Sequence, residues 1–146
     1  MASEDKELLL KDLCTRLNTK LVCSIYRVDD QGIGHRDEIL HGYCNIDAWD
    51  EFYFGEDCGI SINDVSKIKP YLFPLSSMTE EQKESSPFEP SLLNAFINGH
   101  ISLFEDEELN IDDLNRLYDW LNKSHFDYRG LIEKSLALDA TGLNIY

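Results

Sequence analysis

The sequence predicts an α+β protein: a small, curled antiparallel sheet with a helix before it and a helical portion after it. Three observations lead there. Apolar residues recur at helical spacing near both ends of the chain. Short β-branched and aromatic stretches, each bounded by Gly or Asp, crowd residues 21–75. A hydrophobic content of 42%, of which aromatics make up 11% of the chain, supplies enough apolar surface over 146 residues for one core. A single domain spanning 1–146 is therefore expected.

Residues 3–17 place Leu9, Leu10, Leu13 and Leu17 on one side of a helix, with Ser3 as the expected N-cap and acidic residues in the first turn. Residues 21–28, LVCSIYRV, contain no Gly or Pro and read as a strand, followed by a turn at Asp29-Asp30-Gln31-Gly32. Two further strands are expected at 38–45 and 51–54, and a third apolar piece at 59–62. A short connection at 63–69 leads to Pro70, which favours extended backbone ahead of Tyr71, Leu72 and Phe73. Strand, tight turn, strand is how small SH3-like barrels end, an analogy of form alone.

Thr79 and Gln82 form a capping box, so a helix is expected to start there, with Glu80 and Glu81 complementing its dipole and Ser85-Ser86-Pro87 ending it. Residues 85–110 read as a loop carrying a short helix around Leu92, Leu93, Phe96 and Ile97. Helical periodicity returns at 111–123 through Ile111, Leu114, Leu117, Tyr118 and Leu121, with Asn110 placed to cap. The tail 125–146 is rich in apolar groups, so Phe126, Tyr128, Leu131, Ile132 and Leu136 are expected to pack.

Charge excludes several functions. Thirteen Lys and Arg face 28 Asp and Glu, a formal net charge of -15, which makes most of the surface potential negative. The largest basic cluster is Lys67 and Lys69, so direct nucleic-acid binding, which needs a basic patch, is not expected. An anionic membrane surface is disfavoured on the same ground, and no apolar run approaches the roughly 20 residues that span a bilayer. The start MASEDKELLLKDL lacks the basic opening and long apolar stretch of a secretory signal, so a cytoplasmic location is expected. Cys14, Cys23, Cys44 and Cys58 follow no framework or redox spacing and are expected as reduced thiols.

Three stretches, ELLLKDLCTRL, IKPYLFPLSSMTEEQK and DWLNKSHFDYRGLIEKSLALDATGLNIY, cover residues 7–17, 68–83 and 119–146. In these the chain resembles a family of short uncharacterised proteins encoded by phages and prophages of gut Bacteroidetes. Members of that family commonly carry a glycine where this chain has Ser135, and they vary freely between the second and third stretches. The resemblance implies a bacterial host cytoplasm and a mobile-element origin. It carries over no catalytic residue.

Among candidate sites, His35-Arg36-Asp37-Glu38-Ile39-Leu40-His41 offers two imidazoles and two carboxylates, all ligands of zinc or iron. It lacks the H-E-x-x-H spacing, and Glu38-x-x-His41 is half of a di-iron pattern with no second copy. On a strand, His35, Asp37, Ile39 and His41 would share one face, equally the composition of a solvated strand edge. Gly59-Ile60-Ser61-Ile62-Asn63 approaches the G-x-S-x-G nucleophile elbow, but Asn63 replaces its second glycine. Cys44, three residues from His41, has no third orienting group and reads as an inert cysteine. Residues 105–113 hold six carboxylates, yet an EF-hand would need a glycine at Ile111 and a glutamate at Leu117. Gly32-Ile33-Gly34 is too brief to cradle a phosphate. His125-Phe126-Asp127-Tyr128-Arg129-Gly130, like Tyr71, Phe73 and Pro74, has the make-up of either a packed turn or an interface anchor.

The leading expectation is an accessory protein that binds a basic protein surface through its carboxylates. Between Asp29 and Asp64 there are ten carboxylates and one arginine, a net of about -9. Such a surface accelerates association with a cationic partner and can imitate the phosphate spacing of nucleic acid, as an anti-defence protein would. The expected partner-binding residues are Asp47, Asp50, Glu51, Glu56 and Asp57, with Glu105, Asp106, Glu107 and Glu108 as a second acidic segment. No cofactor is expected. Acidity that merely keeps the protein soluble is an equal reading of the same charge, and two further alternatives stand beside it: a small metal-dependent enzyme using His35, Asp37, Glu38 and His41, and a virion assembly component, for which the chain lacks the usual length and repetition.

Overall fold

Leu9 and Leu13, one helical turn apart, are fully buried and define the face that helix α1 (Ser3–Thr15) turns toward the sheet. The computed structural model describes residues 1–29, 32–99 and 111–146. The helix starts one residue earlier than expected: Ala2 is the cap, Ser3 already lies in the first turn, and Glu4 and Asp5 complement the dipole. It also ends sooner, at Thr15, where turns follow and Lys20 takes a positive φ of 56°.

Five strands form the antiparallel part of the sheet: β1 (Val22–Asp29), β2 (Gly32–Ile46), β3 (Trp49–Phe54), β4 (Ile60–Ile62) and β5 (Ile68–Pro74). The long β2 absorbs Gly32-Ile33-Gly34 and the His35–His41 cluster, and a register shift between Leu40 and Gly42 bends it. Its first half pairs with β1 and its second with β3, which curls the sheet. A 3-10 turn at Val65–Lys67, capped by Asp64, leads into β5, and β5 returns beside β1. The strand, tight turn, strand ending expected from the sequence is thus present.

Pleating assigns the side chains. Cys23, Ile25, Leu40, Phe52, Phe54, Ile62, Ile68 and Leu72 line the inner face and form one core with Leu9, Leu13 and Leu21. Phe73, adjacent to Leu72, joins a second core of Met78, Leu93, Leu117, Leu121 and Phe126. Helix α2 (Glu80–Ser85) buries no residue, while α3 (Pro90–Ile97) and α4 (Ile111–Lys123) supply most of that core. The capping box at the start of α2 is formed: Gln82 N donates to Thr79 Oγ1 (3.2 Å), and Thr79 N donates to Gln82 Oε1 (2.8 Å). Ile111, expected on the apolar face of α4, is exposed, because that face begins at Leu114. Asn110, its expected cap, lies outside the described residues.

The sheet is mixed rather than purely antiparallel. Two short pieces of the tail, β6 (Phe126–Asp127) and β7 (Leu138–Asp139), pair with β5 in parallel, because a chain returning from α4 reaches this strand from the side left open by β1. Between them, Asp127 accepts backbone N–H groups from Arg129, Leu131 and Ile132, closing a tight turn that contains Gly130 at φ 71°. Ser135 lies at φ 60°, a conformation that glycine takes without strain.

Between the two cores sits a buried ionic cluster. Asp12 and Arg16, one turn apart at the end of α1, are both fully buried and form a bidentate pair at 2.8 and 3.1 Å. Arg16 also donates to the Phe126 carbonyl at 2.8 Å and reaches the Asn122 carbonyl at 3.5 Å. Arg129 places its Nε 3.4 Å from Asp12. Removing Asp12, the one carboxylate among the described residues of this cluster, leaves two guanidiniums facing each other, so Asp12→Ala is expected to lower the unfolding free energy by about 3–5 kcal/mol in urea titration.

The tail is fastened by Tyr146, whose phenol donates to the Tyr71 carbonyl (2.6 Å) and accepts from Val22 N (3.3 Å). His125 stacks on its ring at 3.8 Å. Burial, followed by the nearby Arg16 charge, pushes the His125 pKa down from 6.5 to about 4. Between these two pH values the unfolded chain binds the extra proton, so stability rises with pH from about 4 to 6.5 and levels off above. Solvent screening reduces the contribution to about 2 kcal/mol. Because His125 has a φ of 59°, the matched variant is His125→Asn, which tolerates that backbone. Its unfolding free energy, measured across this pH range, is expected to vary less than that of the parent.

Candidate functional site

The hairpin between β2 and β3 is closed by two residues, Asp47 (φ 52°) and Ala48 (φ 68°), both in the left-handed region that a type I′ turn requires. Tight closure sets Ile46 directly opposite Trp49. Phe52 and Phe54 point inward, so alternation turns Trp49, Glu51 and Tyr53 outward on β3, and the register brings Ile46 and Cys44 outward on β2. Ile46 is 60% exposed and Trp49 68%, an uncovered apolar pair on a rigid tip.

Carboxylates flank it along β2 and β3. Residues 37–66 carry eight Asp and Glu and no Lys or Arg. Asp47 is exposed beside Trp49 in the turn. Glu51 accepts from the Tyr53 hydroxyl at 2.8 Å, and hydrogen bonds from Ser61 and then Tyr53 hold its pKa below the usual range. Glu56 and Asp57 are exposed in the turn that joins β3 to β4, where Cys58 N donates to the Gly55 carbonyl. They therefore lie at the opposite end of β3 from Asp47.

Asp50 differs from the other expected partner-binding residues. It alternates to the inner side of β3 and is half-buried, where it accepts from Asn45 Nδ2 at 2.8 Å and from the Tyr43 hydroxyl. These two bonds, that of Tyr43 first, hold its pKa below the usual carboxylate range. Its work is to brace the hairpin. Glu105, Asp106, Glu107 and Glu108 lie outside the described residues.

The pleat of β2 separates the candidate metal ligands. His35 and Asp37 face outward, where His35 packs on Tyr26 (ring centroids 5.3 Å apart) with its Nδ1 3.5 Å from Ser24 Oγ, while Asp37 accepts from the Tyr71 hydroxyl at 3.0 Å. Glu38 points to the other face, and His41 falls in the register shift between Leu40 and Gly42. The single shared face expected for His35, Asp37, Ile39 and His41 is broken there. Among the described residues, no three His, Cys, Asp or Glu side chains come together to hold a metal ion.

The elbow-like segment Gly59–Asn63 is spent on β4, whose Ser61 pairs with Tyr53 and faces outward on a flat strand rather than on a strained turn. All four cysteines are free thiols, with burial raising the pKa of Cys23 and of Cys14. The segment from His125 to Gly130 is packed: His125, Phe126 and Asp127 are buried. No described helix is long and apolar enough to cross a membrane.

Ile46 and Trp49 were not legible as a site. Asp-Ala lacks the glycine of common two-residue turns, so from sequence the hairpin divides into separate strands ending at 45 and starting at 51.

Fold and surface define an α+β protein with an acidic, aromatic-tipped hairpin. Comparison with protein-family models, curated proteins and solved structures finds no match to the chain.

Ala48 gives the hairpin a direct test. An alanine at φ 68° costs about 1 kcal/mol relative to glycine. Ala48→Gly is therefore expected to raise the urea midpoint by the equivalent of about 0.5–1 kcal/mol, with an unchanged slope.

Proposed function

We propose that this protein is an accessory module that binds a partner protein through the outer face of β2 and β3. Trp49 and Ile46 enter an apolar pocket of the partner, Asp47 and Glu51 meet basic residues beside it, and Glu56 and Asp57 meet others at the far end of β3. The observation that carries this reading is the exposed Ile46 and Trp49 pair on a tight hairpin, set in a stretch with eight carboxylates and no base. Tryptophan anchors dominate interface energetics because they bury a large rigid surface at low entropy cost. The surrounding charge steers a cationic partner and opposes anionic competitors, nucleic acid included. Carboxylates spread along β3 also fit a surface that imitates the phosphates of nucleic acid.

In keeping with the resemblance to phage and prophage proteins, the proposed setting is a bacterial cytoplasm and the proposed target a host or phage protein. The left-handed backbone at Ser135 supports that resemblance, since it supplies a physical reason for glycine at the same position in the similar proteins.

Capture from bacterial host extract at low and high salt tests the reading, using the parent, Trp49→Ser, and a fourfold variant with Asp47→Asn, Glu51→Gln, Glu56→Gln and Asp57→Asn. The expected result is one partner whose retention falls with salt. The fourfold variant should lose that salt dependence. Trp49→Ser should weaken binding at both salts by about 30-fold, the effect of a hot spot of about 2 kcal/mol. Equal retention by all three proteins, or no partner released by salt, overturns it.

A further inference from the structure

A cleft of about 660 Å³ opens between α1 and α4, within the size range of small-molecule sites. Lys11 and Thr15 line it from α1, Tyr118 and Asn122 from α4, and Tyr128 and Arg129 from the turn after β6. Its charge runs against that of the whole chain. Among the described residues, the lining carries Lys11 and Arg129 against Asp119, with Arg16 and Asp12 paired beneath, in a protein of net charge -15.

Arg129 is the central group. Its Nη2 donates to the Tyr128 hydroxyl at 2.9 Å, and its guanidinium carbon lies 5.0 Å from the centre of the Tyr128 ring. Asp12 is already held bidentately by Arg16, and the 3.4 Å approach of Arg129 Nε to it makes no hydrogen bond. The guanidinium is thus fixed by stacking and by one hydroxyl, with its charge incompletely compensated. Tyr118 packs against Tyr128 at 5.1 Å, which adds a second aromatic surface beside it.

We propose that this cleft binds a small organic anion, a carboxylate or a phosphate monoester on an aromatic body, with Arg129 and Lys11 taking the anionic group and Tyr118 and Tyr128 the ring. A planar guanidinium matches both oxyanions bidentately, and Lys11 adds a point charge at the mouth. Asn122 supplies an amide beside the ring and accepts from the Tyr128 hydroxyl at 3.0 Å, which fixes the orientation of that wall. The proposal is independent of the acidic hairpin.

Calorimetric titration of the full chain in low-salt zwitterionic buffer tests it with benzoate, phenyl phosphate, inorganic phosphate and the neutral benzamide. Benzoate or phenyl phosphate is expected to bind and benzamide not to, the better of the two anions identifying the group. Lys11→Gln, an exposed position that leaves the fold intact, should weaken that ligand about tenfold, the effect of losing one charge-assisted hydrogen bond. Arg129→Gln should abolish binding while circular dichroism remains that of the folded chain. Tyr118→Ala should weaken the aromatic anion and leave any inorganic phosphate binding unchanged. Benzamide binding as tightly as benzoate, no heat from any anion at millimolar concentration, or unchanged affinity in Lys11→Gln overturns the proposal.

Discussion

The pairing of Arg16 with Asp12 is the interaction on which the rest of the architecture depends. An ion pair with both members fully buried is expensive to desolvate and persists only where hydrogen bonds satisfy its remaining donors. Here those bonds go to the carbonyls of Asn122 and Phe126, more than a hundred residues away in the chain. Apolar contact alone would let α1 slide on the sheet. Charge-assisted bonds to two backbone oxygens at the end of α4 and in β6 give it one position. The cluster therefore joins the sheet core to the helical core, and being shielded from solvent it is little affected by salt. It also holds α1 and α4 at the separation that makes the cleft.

A second constraint is the bend of β2. A strand of 15 residues kept flat would present its outer face as one continuous ribbon. The register shift after Leu40 instead turns the strand, wraps Phe52 and Phe54 over α1, and projects the β2–β3 hairpin away from the core. Because α1 packs on the inner face, the outer face of β2 and β3 is left to solvent, and there the outward carboxylates and Trp49 collect. Acidity and aromatic exposure thus follow from the same one-sided packing.

Much of the framework could be read from the chain. The leucine spacing of α1, the capping box at Thr79 and the periodicity of α4 each rest on neighbours within a turn, and local chemistry decides them. The packed tail was legible as well, since Phe126, Leu131 and Leu136 are too apolar to be left in water. What was not legible required partners far along the chain. Asp12 and Arg16 have the spacing of an ordinary surface pair, and nothing near them announces that α4 will bury both. The site was less legible than the fold: acidity was evident, yet which carboxylates face outward depends on register, and one step along β3 separates Glu51 on the outer face from Asp50, which braces the hairpin.

The sequence by itself thus determined the α+β class, the helices with local signals and the acidic character of residues 29–64, because composition, periodicity and capping act over a few residues. Only the tertiary structure decided that the sheet is mixed, that His35, Asp37, Glu38 and His41 are split by the pleat and the bulge, and that Trp49 crowns a hairpin. It alone brought Lys11 and Arg129 to one cleft. Each of these outcomes depends on strand pairing or helix docking between distant segments, and long-range register is set by how the whole core fills space rather than by any short run of residues.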